Sequence, residues 1–572
     1  MTSSAYQLAS LAILLKSASI LNASDPRWGR EYRAHPQSGI SSSVSQFVAA
    51  PDGNGYMLSY GTYSSPFRSN VAMRIDDHGN LLWAAYLNLP ESPMVAHMSA
   101  SQGEQAIFTG YATQSGTAFL GINEGATMAR KFGVSLPVMN PAKLTFHHLS
   151  DGSSVLLEDL GTSISVMLLA PSGEKLFDRT LHPAGLSQSP KRIDIRKLST
   201  SPGYLVTFTD HVVKRVGTSP MNPDLYTRRL YLSRLDIAGN HLGTTQVSFD
   251  TEGVNEPTYA TGSTGETLFQ FTEARFAQFN YIYSTRLVCI RSDYSLGWSG
   301  IINGALLDSV AFEGEDFWLG GSKQVELASR ATLLRVSASN GNLLAQSSLT
   351  LPTDESSGWA KPVGLHNERL SCVWQVGFTP IVSSLDKNLA NPLAMRVNDV
   401  GSSPATVILE PAEGTLLVYN NGSVTAIDPN LATPDECGRL SAQDVTLWPG
   451  GLSIDSFQPV IAAVSTSASD RVRSLTAATL PVQAPDTWVR KLCGPEELKP
   501  VVLHLERPLH SSSYRLRFET DSQTTYFLDF SNDLTEGYFE TESWNGSGWS
   551  IIYPLTNMQG EQRFFRLRAV RP

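Results

Sequence analysis

Short apolar runs with period-two alternation recur along most of the chain, each closed by a polar turn of Asp, Asn, Gly or Ser. In the plainest case, strand-like residues 70–75 lead into Asp76-Asp77-His78-Gly79-Asn80. A second apolar run, 81–87, follows and carries Trp83. Comparable turns begin at Asn123, Pro171, Asp236, Ser292, Ser339, Asp386 and Asp428. Each follows an apolar run: 118–122, 165–169, 230–235, 286–290, 331–336, 381–385 and 423–427. Asp, Asn and Gly suit these places because they tolerate positive φ or bond their own backbone. The turns recur about every 42–65 residues, the spacing of propeller blades.

Within the first unit four strands are predicted: 44–49, 56–60, 70–75 and 81–87. The third repeats the plan with 144–149, 154–158, 163–169 and 175–181. A four-stranded sheet with two apolar faces must stack on neighbours, so the units are expected to close into a ring. The fourth unit is lengthened by an insertion, 212–229, and the eighth is weak after Asp428. Residues 441–487 hold further strand-like runs that read as a partial blade, ring-closing strands or a strap. The expected fold is all-β: a seven- or eight-bladed β-propeller over 41–484, a linker over 485–500 with a helical turn at 495–498, and a small C-terminal β-sandwich over 501–572. Residues 1–40 are read as a signal or leader segment, on the apolar run 5–15, although Lys16 interrupts it and no basic residue precedes it.

Six short strands are predicted after residue 500: 501–505, 514–518, 526–530, 538–541, 550–553 and 564–568. The segment Tyr526-Phe527-Leu528-Asp529-Phe530-Ser531-Asn532-Asp533-Leu534, then Gly546-Ser547-Gly548, then Arg563-Phe564-Phe565-Arg566-Leu567-Arg568 resembles the C-terminal β-domain of exported proteins from Verrucomicrobia-type bacteria. It departs from that pattern in lacking the Trp after Asp-Leu, where Tyr538 is the nearest substitute. The resemblance implies an exported, modular protein. The first propeller unit is similar to secreted bacterial repeats of the form strand-Asp-x-x-Gly-Asn-x-x-Trp, whose relatives include quinoprotein-like propellers and non-enzymatic surface proteins.

Composition narrows the function classes. Of 572 residues, 41% are hydrophobic and 17% charged, enough to bury a large core. The net charge of −10 and the lack of a basic run argue against nucleic acid. None of Cys289, Cys372, Cys437 and Cys493 forms a CxxC pair, so no structural zinc site is expected. Cys437 and Cys493 are read either as a disulfide or as two separate thiols.

Each candidate for chemistry has a plainer reading. The Asp/Asn/Gly turns could take Ca2+, but lack the dense acidic spacing of an EF-hand and are read as turn chemistry. Asp77-His78-Gly79 with Trp83 fails the sialidase Asp-box, having Ile75 for Ser and the Trp one residue late. Ser384 and Lys387 have SxxK spacing, which loses its meaning at a strand end. His147 and His148 are adjacent and, on a strand, point to opposite faces. The 212–229 insertion carries Lys214, Arg215, Tyr226, Arg228 and Arg229, a binding loop or a hairpin with solvated charges. Phe276, Phe279, Tyr281 and Tyr283 are read as packing beneath it or as a sugar-stacking surface. The expectation is an exported, non-enzymatic binding protein, with a protein or glycan ligand on a propeller face and no catalytic or metal-binding residue assigned. The alternative is a propeller enzyme, either a quinone-dependent dehydrogenase or a carbohydrate-active lyase or hydrolase.

Overall fold

The structure is a computed structural model. It describes most of 106–397 and 440–478, little more than the strands within 29–100, 406–427 and 482–570, and nothing of 1–28. Among the described residues there is no α-helix, and the strands form eight five-stranded antiparallel sheets and two three-stranded ones. The fold is a β-propeller. Sheets 1 to 7 take their first four strands in chain order from 43–87, 93–137, 144–183, 192–251, 258–303, 305–350 and 358–397. Sheet 8 joins Thr406–Leu409, Leu416–Asn420 and Ser423–Ile427 to the N-terminal strand Gly29–Arg33. The two ends of the ring therefore share one sheet, which places the 29–33 part of the expected leader segment inside the fold. The first strand of a sheet packs on the sheet before it, as 192–197 does on 144–148 and 305–313 on 258–261, so the first strands line the axis.

The fifth strand of every sheet comes from one segment, 440–493. Leu440–Ala442 pairs with sheet 7, Thr446–Pro449 with sheet 6, Asp455–Ser456 with sheet 5 and Val460–Val464 with sheet 4. Thr466–Asp470, Thr476–Ala477 and Val482–Gln483 follow on sheets 3, 2 and 1, and Trp488–Cys493 ends on Gly29–Arg33 in sheet 8. Of the three readings of 441–487, the strap is the one observed: a belt running round the ring against the order of the sheets. Its last strand lies within 485–500, so part of the expected linker is a propeller strand; the expected turn at 495–498 lies outside the described residues.

The belt caps each outer edge and also plugs the seams. Val445 and Leu447 pack on the core between sheets 6 and 7, and Leu452 and Ile454 between 5 and 6. Phe457, Val464 and Leu475 do the same at seams 4/5, 3/4 and 2/3. Half-buried, each contributes roughly 1 kcal/mol. The strongest fastening is ionic. Arg473, 4% exposed, donates to both Asp178 oxygens (2.9 and 2.6 Å), to Ser165 Oγ and to Glu158 Oε2. Arg471 donates to the same Glu158 at 2.5 Å, and Glu158 Oε1 also accepts from the backbone N–H groups of Met139 and Asn140.

The repeated turns serve as sheet-to-sheet couplings. At Asp236 the carboxylate accepts from the N–H of Ala238 (2.9 Å) and of Asn240 (2.8 Å), and Asp386 repeats this with Asn388 and Ala390. The turn glycines Gly173, Gly239 and Gly341 have φ of 86°, 78° and 75°. An aromatic of the preceding sheet lies so close that a Cβ would meet it: Phe132 at 2.8 Å, Phe177 at 2.4 Å and Trp298 at 2.6 Å. Each aromatic is third in its strand, the place of Trp83 in the first unit. The turn glycine and the aromatic thus join neighbouring sheets.

Two three-stranded sheets follow the ring. One orders His504–Glu506, Tyr514–Glu519 and Ser550–Leu555, the other Glu540–Asn545, Thr525–Ser531 and Phe564–Val570. Leu516, Phe518 and Leu528 are buried, as in a small sandwich.

Candidate functional site

Sheets 4 and 5 depart from the plan of the ring. In sheet 4 the first strand pairs with 204–209, and the second runs on through 210–215. In sheet 5 the first strand reaches Gln270, and the second continues through 271–277. The other described sheets carry this hairpin at most three residues past the first strand. At about 3.3 Å per residue the two overhangs rise roughly 20 Å on one face. The 212–229 insertion is therefore an extended hairpin, with Val213 opposite Tyr226 and His211 opposite Arg228. Residues 218–223 at its tip lie outside the described residues.

The overhangs form a pair of facing walls. Arg229 lies across the sheet from Asp210, to which its Nε donates at 2.7 Å, and Lys214 pairs with Asp250. Toward sheet 5, Arg228 lies with its guanidinium 4.9 Å from the centre of the Phe271 ring. Arg286 of sheet 5 donates to Glu273 at 2.5 Å and lies over Phe249 of sheet 4, 5.4 Å from the ring centre. Arg228 is 2% exposed, and its buried Nη1 has no hydrogen-bond partner. Burial lowers its pKa to about 10, against the pull of Glu273 and Glu256. Thr209 Oγ1, on the same face of sheet 4, is also buried and unbonded. Val213, Val216 and Ile282 are exposed apolar side chains on the overhangs. Of the aromatic cluster, Phe279 and the side chains of Phe276 and Tyr281 lie outside the described residues; Tyr283 sits opposite Ala274.

A second polar group lies at the axis. His147 Nδ1 is 3.5 Å from Asp194 Oδ1, and Tyr259 Oη donates to Asp194 Oδ2, so sheets 3, 4 and 5 meet at one carboxylate. His148 turns the other way, stacking on Phe108 of sheet 2 at 5.6 Å. The two histidines point to opposite faces. On sheet 6, Asp308 is the extra residue of a bulge between Leu307 and Ser309. Gly320 and Gly321 lie opposite: a Cβ on Gly321 would meet Leu306 O at 2.2 Å, so only glycine lets the bulged strand approach. Asp308 is exposed by surface area, yet surrounding protein raises its carboxyl pKa, with Lys361 of sheet 7 opposing the rise.

The remaining candidates are separated. Ser384 is buried and accepts from Arg369 Nε at 2.9 Å, while Lys387 reaches Glu368 at 3.4 Å. The turn carboxylates bond their own backbone, as at Asp236 and Asp386. Cys289 and Cys372 are buried, with burial raising both thiol pKa values to about 12. Asp77, His78 and Cys437 lie outside the described residues, as does the Cys493 side chain. Among the described residues no three His, Cys, Asp or Glu side chains group as metal ligands, and no helix is long and apolar enough to cross a membrane. Sequence reading missed Asp194, Tyr259 and the Asp308 bulge; the adjacent Gly320-Gly321 pair was the one local signal for the last.

No protein-family model matches the chain, and no curated protein matches it. Among solved structures it is similar to an apocarotenoid oxygenase variant from Synechocystis, at 10% identity over 66% of this chain and 95% of that one, with a TM-score of 0.33. It is likewise similar to Drosophila Semaphorin 2a, at 8% identity over 70% and 75%, with a TM-score of 0.33. Sqt1 from Chaetomium thermophilum gives 12% identity over 68% and 97%, with a TM-score of 0.34. The propeller assignment rests on the sheet topology, and no functional argument rests on these likenesses.

Proposed function

We propose that this is a non-enzymatic binding protein whose ligand is held by the paired overhangs of sheets 4 and 5. The observation that carries the reading is the departure of two neighbouring sheets from an otherwise regular ring. Extra length confined to one face of a rigid scaffold is where recognition resides. The facing walls carry buried polar groups together with the exposed apolar side chains Val213 and Ile282, the mixture an interaction surface uses. The separation of Ser384 from Lys387 and the raised thiol pKa values favour binding over nucleophilic catalysis. Export fits the reading, as does the C-terminal segment that resembles β-domains of exported bacterial proteins. The ligand is a protein or a glycan.

The test is a glycan array and a surface-protein pull-down with the whole chain and with a variant in which 212–227 is replaced by a two-residue Asn-Gly turn. The reading expects a ligand that the shortened variant loses at least tenfold while melting as before. A ligand bound equally by both chains, or turnover of a quinone-linked or polysaccharide substrate, would overturn it.

A further inference from the structure

The seam between the overhangs has a chemical preference of its own. Arg228 Nη1 and Thr209 Oγ1 lie on one face of sheet 4, each buried and without a hydrogen-bond partner. They stand on adjacent strands two register positions apart, and so on the same face: Arg228 is opposite His211, and Leu230 is opposite Thr209. The Phe271 ring covers the guanidinium and so leaves its edge for an in-plane acceptor. The nearby acids do not complete the set. Glu273 is held by Arg286, with Ser284 Oγ at 3.4 Å, and Glu256 is exposed. A buried guanidinium nitrogen without an acceptor is costly, and a two-oxygen anion offers one acceptor to it and a second to the Thr209 hydroxyl.

We propose that Arg228 and Thr209 form a site for a carboxylate group of the ligand, at the seam between the overhangs of sheets 4 and 5. One carboxylate oxygen accepts from Arg228 Nη1 and the other from Thr209 Oγ1. The site deepens the binding reading, since it rests on the overhangs being the ligand-facing part of the molecule. It adds a class: ligands that present a carboxylate, with the acidic sugar residue of a glycan as the source tested against a plain carboxylate.

The experiment is thermal unfolding of the full chain in acetate, glucuronate, glucose or chloride at constant ionic strength and pH 7. Acetate and glucuronate are expected to raise the melting temperature saturably, and glucose and chloride to leave it unchanged. A stronger response to glucuronate assigns the carboxylate to a sugar; equal responses assign it to any small carboxylate. Arg228→Met fills the same space without the charge and is expected to abolish the response. Arg228→Lys keeps the charge, loses the Nη1 donor and is expected to weaken it at least tenfold, which keeps the test open if the Met variant does not fold. No response in the parent, an equal response to chloride, or an unchanged response in Arg228→Lys would overturn the site. The two proposals fail separately: the array result with the shortened hairpin judges the overhangs, and the acetate response judges Arg228.

Discussion

The guanidinium of Arg473 lies 2.6 Å from the carboxylate of Asp178, a partner 295 positions earlier in the chain. Both side chains are almost wholly enclosed, at 3% and 1% exposure. The pair, with Glu158 and Arg471, is the ionic clasp of the belt. Truncating Arg473 leaves two carboxylates buried beside a single remaining cation. Arg473→Ala is expected to cost about 3–5 kcal/mol in urea denaturation, within the range for breaking a buried pair. It should also open 466–478 to limited proteolysis. A loss below about 1 kcal/mol would mean that the clasp does not hold the belt.

His148 gives the fold a pH dependence. Burial against Phe108 lowers its pKa from 6.5 to about 4, with Asp151 opposing. The unfolded chain therefore binds a proton that the folded chain refuses, and stability falls as pH drops from 6.5 towards 4. The contribution has an upper bound of about 3 kcal/mol. His148→Phe preserves the stacking, so the variant should show a flatter stability profile across that window than the parent. Parallel profiles would dispose of this account.

The glycines facing the Asp308 bulge are expected to be intolerant. Gly321→Ala places a Cβ against Leu306 O and the Leu307 Cα, both backbone atoms that cannot swing aside. A cost of about 1–3 kcal/mol is expected from overpacking, read as a lower urea midpoint with an unchanged slope. A neutral substitution would show that the first strand of sheet 6 can move away from the second.

Gln270 is 1% exposed, and neither end of its amide has a partner; Thr258 Oγ1, opposite it, is likewise unbonded. Gln270→Met conserves volume and removes both buried polar atoms. It should leave stability unchanged or raise it by about 1 kcal/mol. A drop of more than 1 kcal/mol would reveal a bridging water worth keeping.

The strands were legible because their cause is local. The run 81–87 and the third unit fell where alternation and turn residues put them. The ring followed because four-stranded sheets with two apolar faces have nowhere else to bury them. The belt was only one of three readings, since pieces such as Asp455–Ser456 are two residues long and owe their strand character to partners more than 150 positions away. The candidate site was half visible. The insertion stood out as excess length, but that Arg228 turns inward while Lys214 pairs with Asp250 depends on facing and neighbours. Asp194 looked like any strand carboxylate until His147 and Tyr259 came to it from two other sheets.

The belt also dictates an order of assembly. Its strands have nothing to pair with until the sheets exist, and its final strand needs Gly29–Arg33 already seated beside Ser423–Ile427. A ribosome delivers this segment after the other strands of all eight five-stranded sheets, so it reports on whether the ring is complete. A nascent chain with one misfolded sheet would leave a stretch of belt undocked and an open edge beside it. A cell's proteases and chaperones can read those two marks, so the quality of the whole ring is displayed at its rim.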